Sequence, residues 1–294
     1  MKALVAGWFS FEQMGATAGD LISRDVVLDW LVRAGRAYDV ALAAPFAGGV
    51  NWREVDPADY SELVFVCGPF GNGPPVSELL RRFSGARLVG VNLSLLQPLD
   101  EWDPFDLLLE RDSSRGSNPD LVFLGRPAST PVVGLVLIHE QPEYGTRDAH
   151  VAANAALERL LATRDVAAVR IDTRLDEANQ GGLRTAAQIE TLIGRMDVVL
   201  TTRLHGLVLA LKSGVPVVAV DPVRGGAKVS RQAATLGWPH VLAAETLSDA
   251  ALAHALEECL SPPARTLAAD CARGAREALR DFEPQFRRLL ELGQ

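Results

Sequence analysis

The chain has 294 residues, of which 48% are apolar and 22% charged, with 37 acidic residues against 29 basic ones and a net charge of −8. That balance excludes a disordered or collagen-like chain, and the acidic excess opposes binding to nucleic acid or to an anionic membrane surface. No apolar run reaches the ~20 residues that span a bilayer, and Cys67, Cys259 and Cys271 are too scattered for a disulfide framework or a Cys-x-x-Cys zinc site. Free cysteines and an N-terminus with no signal-peptide core predict a cytoplasmic protein.

Taken in chain order, the short apolar runs Lys2–Gly7, Tyr38–Ala43, Leu63–Cys67, Arg87–Asn92, Asp106–Leu109 and Leu121–Leu124 predict buried parallel strands. A helix is predicted over roughly Asp20–Ala34, stopped by Gly35. The breaker-rich stretch Gly125–Pro131 predicts a linker. Strands are predicted again at Val132–Ile138, Ala167–Ile171, Asp197–Thr201 and Val215–Val220. Helices fall at Ala149–Ala162, Thr185–Gly194 and Gly206–Ser213. Strand–helix alternation means right-handed crossovers and a doubly wound sheet. The chain therefore reads as α/β: two Rossmann-like parallel-sheet domains, 1–127 and 131–264, facing a cleft, with an amphipathic helix over 265–294.

Several common motifs are missing. Gly15-Ala16-Thr17-Ala18-Gly19-Asp20 is neither a dinucleotide fingerprint nor a phosphate-binding Walker loop, and there is no Gly-x-Ser-x-Gly and no His-Glu-x-x-His. The informative segment is Asp197–Ser213, where a strand ends at Thr201-Thr202-Arg203-Leu204-His205-Gly206 and a helix begins. Ligands bind outside the carboxyl ends of strands in open parallel sheets, and a helix N-terminus favours anions. Gly206 reads as a place where a ligand nears the backbone. The next strand runs into Asp221-Pro222-Val223-Arg224-Gly225-Gly226-Ala227-Lys228. Arg203, Arg224, Lys228 and Arg231 are thus expected at one corner, with His205 among them. Residues 203–231 hold five cations and one anion, a net +4, against −12 over the rest of the chain. A pocket for a small phosphate or carboxylate ligand follows, because guanidinium forks match both groups.

These residues resemble the polysaccharide pyruvyl transferase family. The resemblance rests on the strand ending in Arg203-Leu204-His205-Gly206, the apolar helix Leu207–Ser213, the strand Gly214-Val215-Pro216-Val217-Val218, Lys228, and Leu236-Gly237. The Gly15–Asp20 loop and Leu109-Glu110-Arg111-Asp112 are looser likenesses. The resemblance implies a GT-B-like fold, with the C-terminal helix packing back on the first domain. It implies a bacterial transferase of cell-envelope polysaccharide biosynthesis, with phosphoenolpyruvate as donor and co-substrate and no other cofactor or metal. The acceptor would be a sugar or lipid-linked glycan that receives a pyruvate ketal. Arg203 would bind the donor with Lys228, Arg224 and Arg231, and His205 would be the general acid. Where the family carries an Arg after the second domain's first strand, this chain has His139, which either replaces it or leaves the role to Arg147. Thr17 and Arg115 stand where the family has Asn and Ser. Gly19 and Asp20 are expected on the acceptor side; Asp20 reads equally as a base or as a helix N-cap. Two other functions fit the same architecture: a nucleotide-sugar glycosyltransferase, with Glu190 and Asp197 as the nearby carboxylates for a ribose, and a non-catalytic binder of anionic sugars.

Overall fold

Five apolar runs in each half of the chain become the strands of a parallel sheet. In a computed structural model, which describes all residues except 13–14, 127–128, 140–141, 180 and 292–294, two compact units appear, Met1–Ala128 and Ser129–Gln294. The first unit's main sheet comprises β1 (Lys2–Ala6), β2 (Tyr38–Val40), β3 (Tyr60–Val66), β4 (Arg87–Val91) and β5 (Leu107–Leu109), in the order β2-β1-β3-β4-β5. The second comprises β6 (Val132–Val136), β7 (Ala167–Arg170), β8 (Val198–Thr201), β9 (Val217–Asp221) and β10 (Val241–Ala243), in the order β7-β6-β8-β9-β10. All pairings in both sheets are parallel. β8 and β9 are buried throughout, which is why they read as unbroken apolar runs. Both sheets share one topology. The chain switches direction between the first and third strands, and a ligand crevice is expected at each such point.

In the first unit, α1 (Ala18–Arg33) begins with a capping box: Thr17 accepts from the Asp20 N–H, and the Asp20 carboxylate accepts from the Thr17 N–H. Its stop follows at Gly35, whose φ of +64° suits a residue without a β-carbon. α2 (Val76–Arg82) lies between β3 and β4. Leu121–Leu124 is a single 3-10 turn rather than the expected strand, because the Asp120 carboxylate caps it through the Val122 N–H. Asp112–Ser113 and Gly116–Ser117 instead form a small separate sheet with Pro69–Phe70 and Ser94–Leu95.

In the second unit the helices are α3 (His150–Ala162), α4 (Ala186–Ile193), α5 (Leu204–Lys212), α6 (Lys228–Leu236) and α7 (Asp249–Cys259). The stretch 265–294, expected as one helix, falls in two, α8 (Pro262–Ala278) and α9 (Phe282–Glu291). Of these, α8 packs against α5, α6 and α7 of its own unit. One large apolar cluster, from Val133 to Cys271, joins this sheet to its helices, with Leu157, Ile193, Leu200 and Leu207 fully buried. No helix among the described residues is long and apolar enough to cross a membrane.

Candidate functional site

The turn from β8 into α5 is built by two buried threonines. Thr201 Oγ1 donates to the Val136 carbonyl at 2.7 Å and accepts from the Arg203 N–H at 2.9 Å. Thr202 Oγ1 accepts from the Ile138 N–H at 2.9 Å and donates to Asn154 Oδ1 at 2.7 Å. Asn154 Nδ2 in turn donates to the Ile138 carbonyl. These bonds lock the ends of β6 and β8 together and set Arg203 as the extended residue that starts α5. Gly206 has a different reason from the one its sequence position suggests. A β-carbon there would lie 2.1 Å from Thr201 Oγ1, so the glycine lets the helix sit directly on the strand end.

Arg203 and His139 meet at the switch point through a carboxylate that sequence reasoning passed over, Asp172. Arg203 Nη1 lies 3.5 Å from Asp172 Oδ1, and His139 Nε2 lies 3.6 Å from Asp172 Oδ2. Arg174 closes the group with a bond of 3.1 Å to the same carboxylate. Three cationic or potentially cationic groups thus surround one anion. Burial alone would raise the Asp172 pKa, but the Arg174 N–H and guanidinium, then His139, bring it below the ordinary carboxylate value. Burial lowers the Arg203 pKa from its ordinary value, and Asp172 opposes that shift. A guanidinium that has lost part of its hydration gains more from an incoming anion than a solvated one does. Beside the group lies a cavity of about 320 Å³ reached by His139, Ile171, Asp172 and Gly181. The carboxylates expected nearby are occupied elsewhere: Glu190 pairs with Lys212, and Asp197 accepts from the Val132 N–H.

His205 is exposed in the first turn of α5. Its neighbour along the sheet is the loop after β9, which the fully buried Asp221 organises. The Asp221 carboxylate accepts from the N–H groups of Ala227 at 2.7 Å, Ser230 at 2.9 Å and Val223 at 3.2 Å. It therefore both folds the loop and caps α6, so that Lys228 opens that helix.

The structure divides the expected cations between two groups. Arg203 belongs with His139. Arg224 and Lys228 belong with the turn Pro142–Arg147: Arg224 Nη1 donates to the Thr146 carbonyl at 3.1 Å, and its N–H donates to the Arg147 carbonyl at 2.8 Å. Lys228 Nζ and the Arg147 guanidinium lie 5.9 Å and 5.8 Å from the centre of the Tyr144 ring. Arg231 is exposed one turn further along α6.

Sequence reasoning also missed Tyr144 and the pair Asp148–His150. His150 is 1% exposed, its Nδ1 contacts Asp148, and its buried Nε2 has no partner among the described residues. Only the short spacing Tyr144–Arg147–His150 signalled them. The His150 N–H and ring hold the Asp148 pKa below its ordinary value.

Gly19 and Asp20 lie in the first unit, in the first turn of α1. Asp20 is 6% exposed and sits three residues after the true N-cap, Thr17. The three cysteines are buried and free, and burial raises each thiol pKa, that of Cys259 to about 12, so none is poised as a thiolate. No group of three His, Cys, Asp or Glu among the described residues could hold a metal ion.

Against solved structures, the chain is similar to the spinosyn forosaminyltransferase SpnP, 16% identical, with a TM-score of 0.37 over 99% of each chain. It is similar to the glycosyltransferase SnogD from Streptomyces nogalater, 14% identical, with a TM-score of 0.33 over 93% of this chain and 94% of that one. A third likeness is to MurG from Acinetobacter baumannii, 11% identical, with a TM-score of 0.31 over 93% and 95%. No curated protein matches the chain. Residues 145–222, which run from the turn carrying Arg147 through α3, the Arg203–His205 turn and β9, match the model of the polysaccharide pyruvyl transferase family.

Proposed function

We propose that the protein transfers the enolpyruvyl group of phosphoenolpyruvate to two hydroxyls of a sugar or glycan, forming a pyruvate ketal and releasing phosphate. The observation that carries this reading is the β8–α5 turn. It presents an exposed imidazole, His205, two residues from a half-buried guanidinium, Arg203, at the helix N-terminus inside the family-matched segment.

The donor's carboxylate and phosphate ester both call for cations. Arg203 with His139 is one source in the second unit, and Lys228 with Arg224 and Arg147 is another. Arg231 stands further along α6 as a third. His205 as an imidazolium gives its proton to the methylene carbon C3, which leaves C2 electron-poor. An acceptor hydroxyl oxygen bonds to C2, and its proton returns to His205. The second hydroxyl oxygen then bonds to C2 while the C2–O bond to phosphate breaks, and that hydroxyl's proton leaves on the phosphate. Histidine is the side chain most often used as a general acid in such a step. Cations on the leaving phosphate stabilise the charge that develops there. The same reading has the protein act in the cytoplasm, consistent with its three free cysteines.

The test is phosphate release from phosphoenolpyruvate across a panel of sugar acceptors, with mass detection of the pyruvylated product. His205→Ala should abolish turnover and leave phosphoenolpyruvate affinity within about tenfold, whereas Arg203→Ala should weaken that affinity. Turnover of a nucleotide sugar with no ketal would overturn the proposal. One observation favours that second reading: Asp172 stands at the end of the second strand of its sheet, where a carboxylate can accept from ribose hydroxyls. Its engagement by Arg174 and Arg203 counts against it.

A further inference from the structure

The turn Pro142–Arg147 and the loop after β9 are joined along a short seam, and Asp148 lies in the middle of it. The Arg224 N–H donates to the Arg147 carbonyl at 2.8 Å, and the Ala149 N–H donates to the Pro222 carbonyl at 2.9 Å. Between these bonds Asp148 pairs with Val223 as an antiparallel bridge. The carboxylate therefore has Arg147 beside it in the chain and Arg224 across the seam.

A carboxylate so placed is expected to take a guanidinium, because such charge-assisted bonds are strong. Among the described residues its ion contact is instead to His150. One oxygen, Oδ1, accepts from the His150 N–H at 2.8 Å and from the ring at Nδ1. A carboxylate only accepts, so Nδ1 carries a proton. The Arg224 guanidinium donates to the Thr146 carbonyl at 3.1 Å. It is still close enough to act on Asp148: the His150 N–H and then its ring lower the Asp148 pKa, and the charge of Arg224 adds to them.

His150 holds this carboxylate at a cost to the fold. Its ring is 1% exposed, and Nε2 has no partner among the described residues. A buried polar atom left unpaired is destabilising, and an apolar ring would fill the space without it. The centre of the His150 ring lies 6.2 Å from that of Tyr144. The same Tyr144 ring has Lys228 Nζ at 5.9 Å and the Arg147 guanidinium at 5.8 Å from its centre. His150 thus borders both the carboxylate that would neutralise these cations and the ring that gathers them.

We propose that His150 is a positioning residue: it holds Asp148 by one oxygen away from Arg147, Arg224 and Lys228, which keeps these cations open to a phosphate group. It rests on the proposed function only in taking that group as the donor's phosphate.

The test is calorimetric titration of the full chain with inorganic phosphate and with phosphoenolpyruvate, without acceptor. Wild type should bind both. His150→Phe fills the space and removes the ring bond; it should weaken both anions by about fivefold, the scale of one partly screened ion pair. Adding Asp148→Asn should return both affinities to within about twofold of wild type, because the two changes are coupled through one contact. A role confined to packing would leave the double variant as weak as His150→Phe. Unchanged phosphate affinity in folded His150→Phe, no recovery in the double variant, or a wild type that binds neither anion would overturn the proposal. If His150→Phe does not fold, the wild-type imidazole decides it by NMR. Its Nδ1–H resonance should persist with phosphate bound, and its loss on phosphate binding would overturn the proposal. Ketal formation with an unchanged phosphoenolpyruvate KM in folded His150→Phe would sink this role and spare the proposed reaction. Phosphate affinity that falls and recovers as described, with no ketal from any acceptor, would sink the reaction and spare this role.

Discussion

The carboxyl edges of the two sheets have the same strand order and opposite chemistry. At the second unit's switch point, Arg203, Arg174 and His139 surround the carboxylate of Asp172. At the first unit's, Arg111 is bonded to Asp112 and Asp120 with Asp20 nearby, and Trp8 supplies an aromatic wall. The backbones differ too. The second unit makes its turn with threonine hydroxyls, the first with Cys67 and Asn92 in the left-handed region. The shared topology fixes where a ligand can bind. The residues that land there set the charge that a ligand would meet.

The largest effect should come from His205→Ala. Loss of a general acid costs ~10²–10⁴ in rate, so phosphate release should fall by about a thousandfold. Next comes Asp221→Ala, which leaves three backbone N–H groups without their buried acceptor. Unpaired buried groups cost ~1–3 kcal/mol each, part of it recovered by water. Denaturant unfolding should show a loss of about 3 kcal/mol, together with weaker donor binding as Arg224 and Lys228 lose their fixed loop. Gly206→Ala follows. Its new methyl would meet Thr201 Oγ1 and lie 3.0 Å from Val136. Overpacking of this kind costs ~1–3 kcal/mol, so a fall in stability of about 2 kcal/mol is expected. A neutral result would mean that the strand–helix contact is looser than these distances give.

Much of this was legible in the chain, for physical reasons that also mark the limits. β8 and β9 could be read directly because strands buried on both faces are continuous apolar runs. Leu121–Leu124 has the same composition and is a 3-10 turn. What decides it is the Asp120 cap and the Asn92 contact to Leu121, and Asn92 is 29 residues away. Arg203 and His205 could be found because the chemistry lies within one turn. Asp172 could not, since it reaches Arg203 from 31 residues away along another strand. Trp8 and Cys67 likewise meet only through the pairing of β1 with β3. Asp20 carried a local signal, and the capping box placed it three residues after the N-cap it resembled.

The smallest effect is also the most discriminating. Asp172 is the carboxylate in contact with the second unit's cationic group, and it opposes any anionic donor. Asp172→Asn should therefore raise phosphoenolpyruvate affinity about fivefold, or ~1 kcal/mol, the scale of a single partly screened charge. The same change should lower stability near neutral pH, because the folded pKa of Asp172 lies below its ordinary value. A depressed carboxylate pKa contributes stability that is complete above the unfolded value near 4 and is lost as pH falls through the folded value. The stability gap between wild type and Asp172→Asn should thus be full at pH 7 and narrower at pH 3, measured by thermal unfolding at both. If a nucleotide sugar were the donor and Asp172 held its ribose, the variant would lose donor affinity instead of gaining it. The sign of that one change separates a site built for a small anion from one built for a ribose.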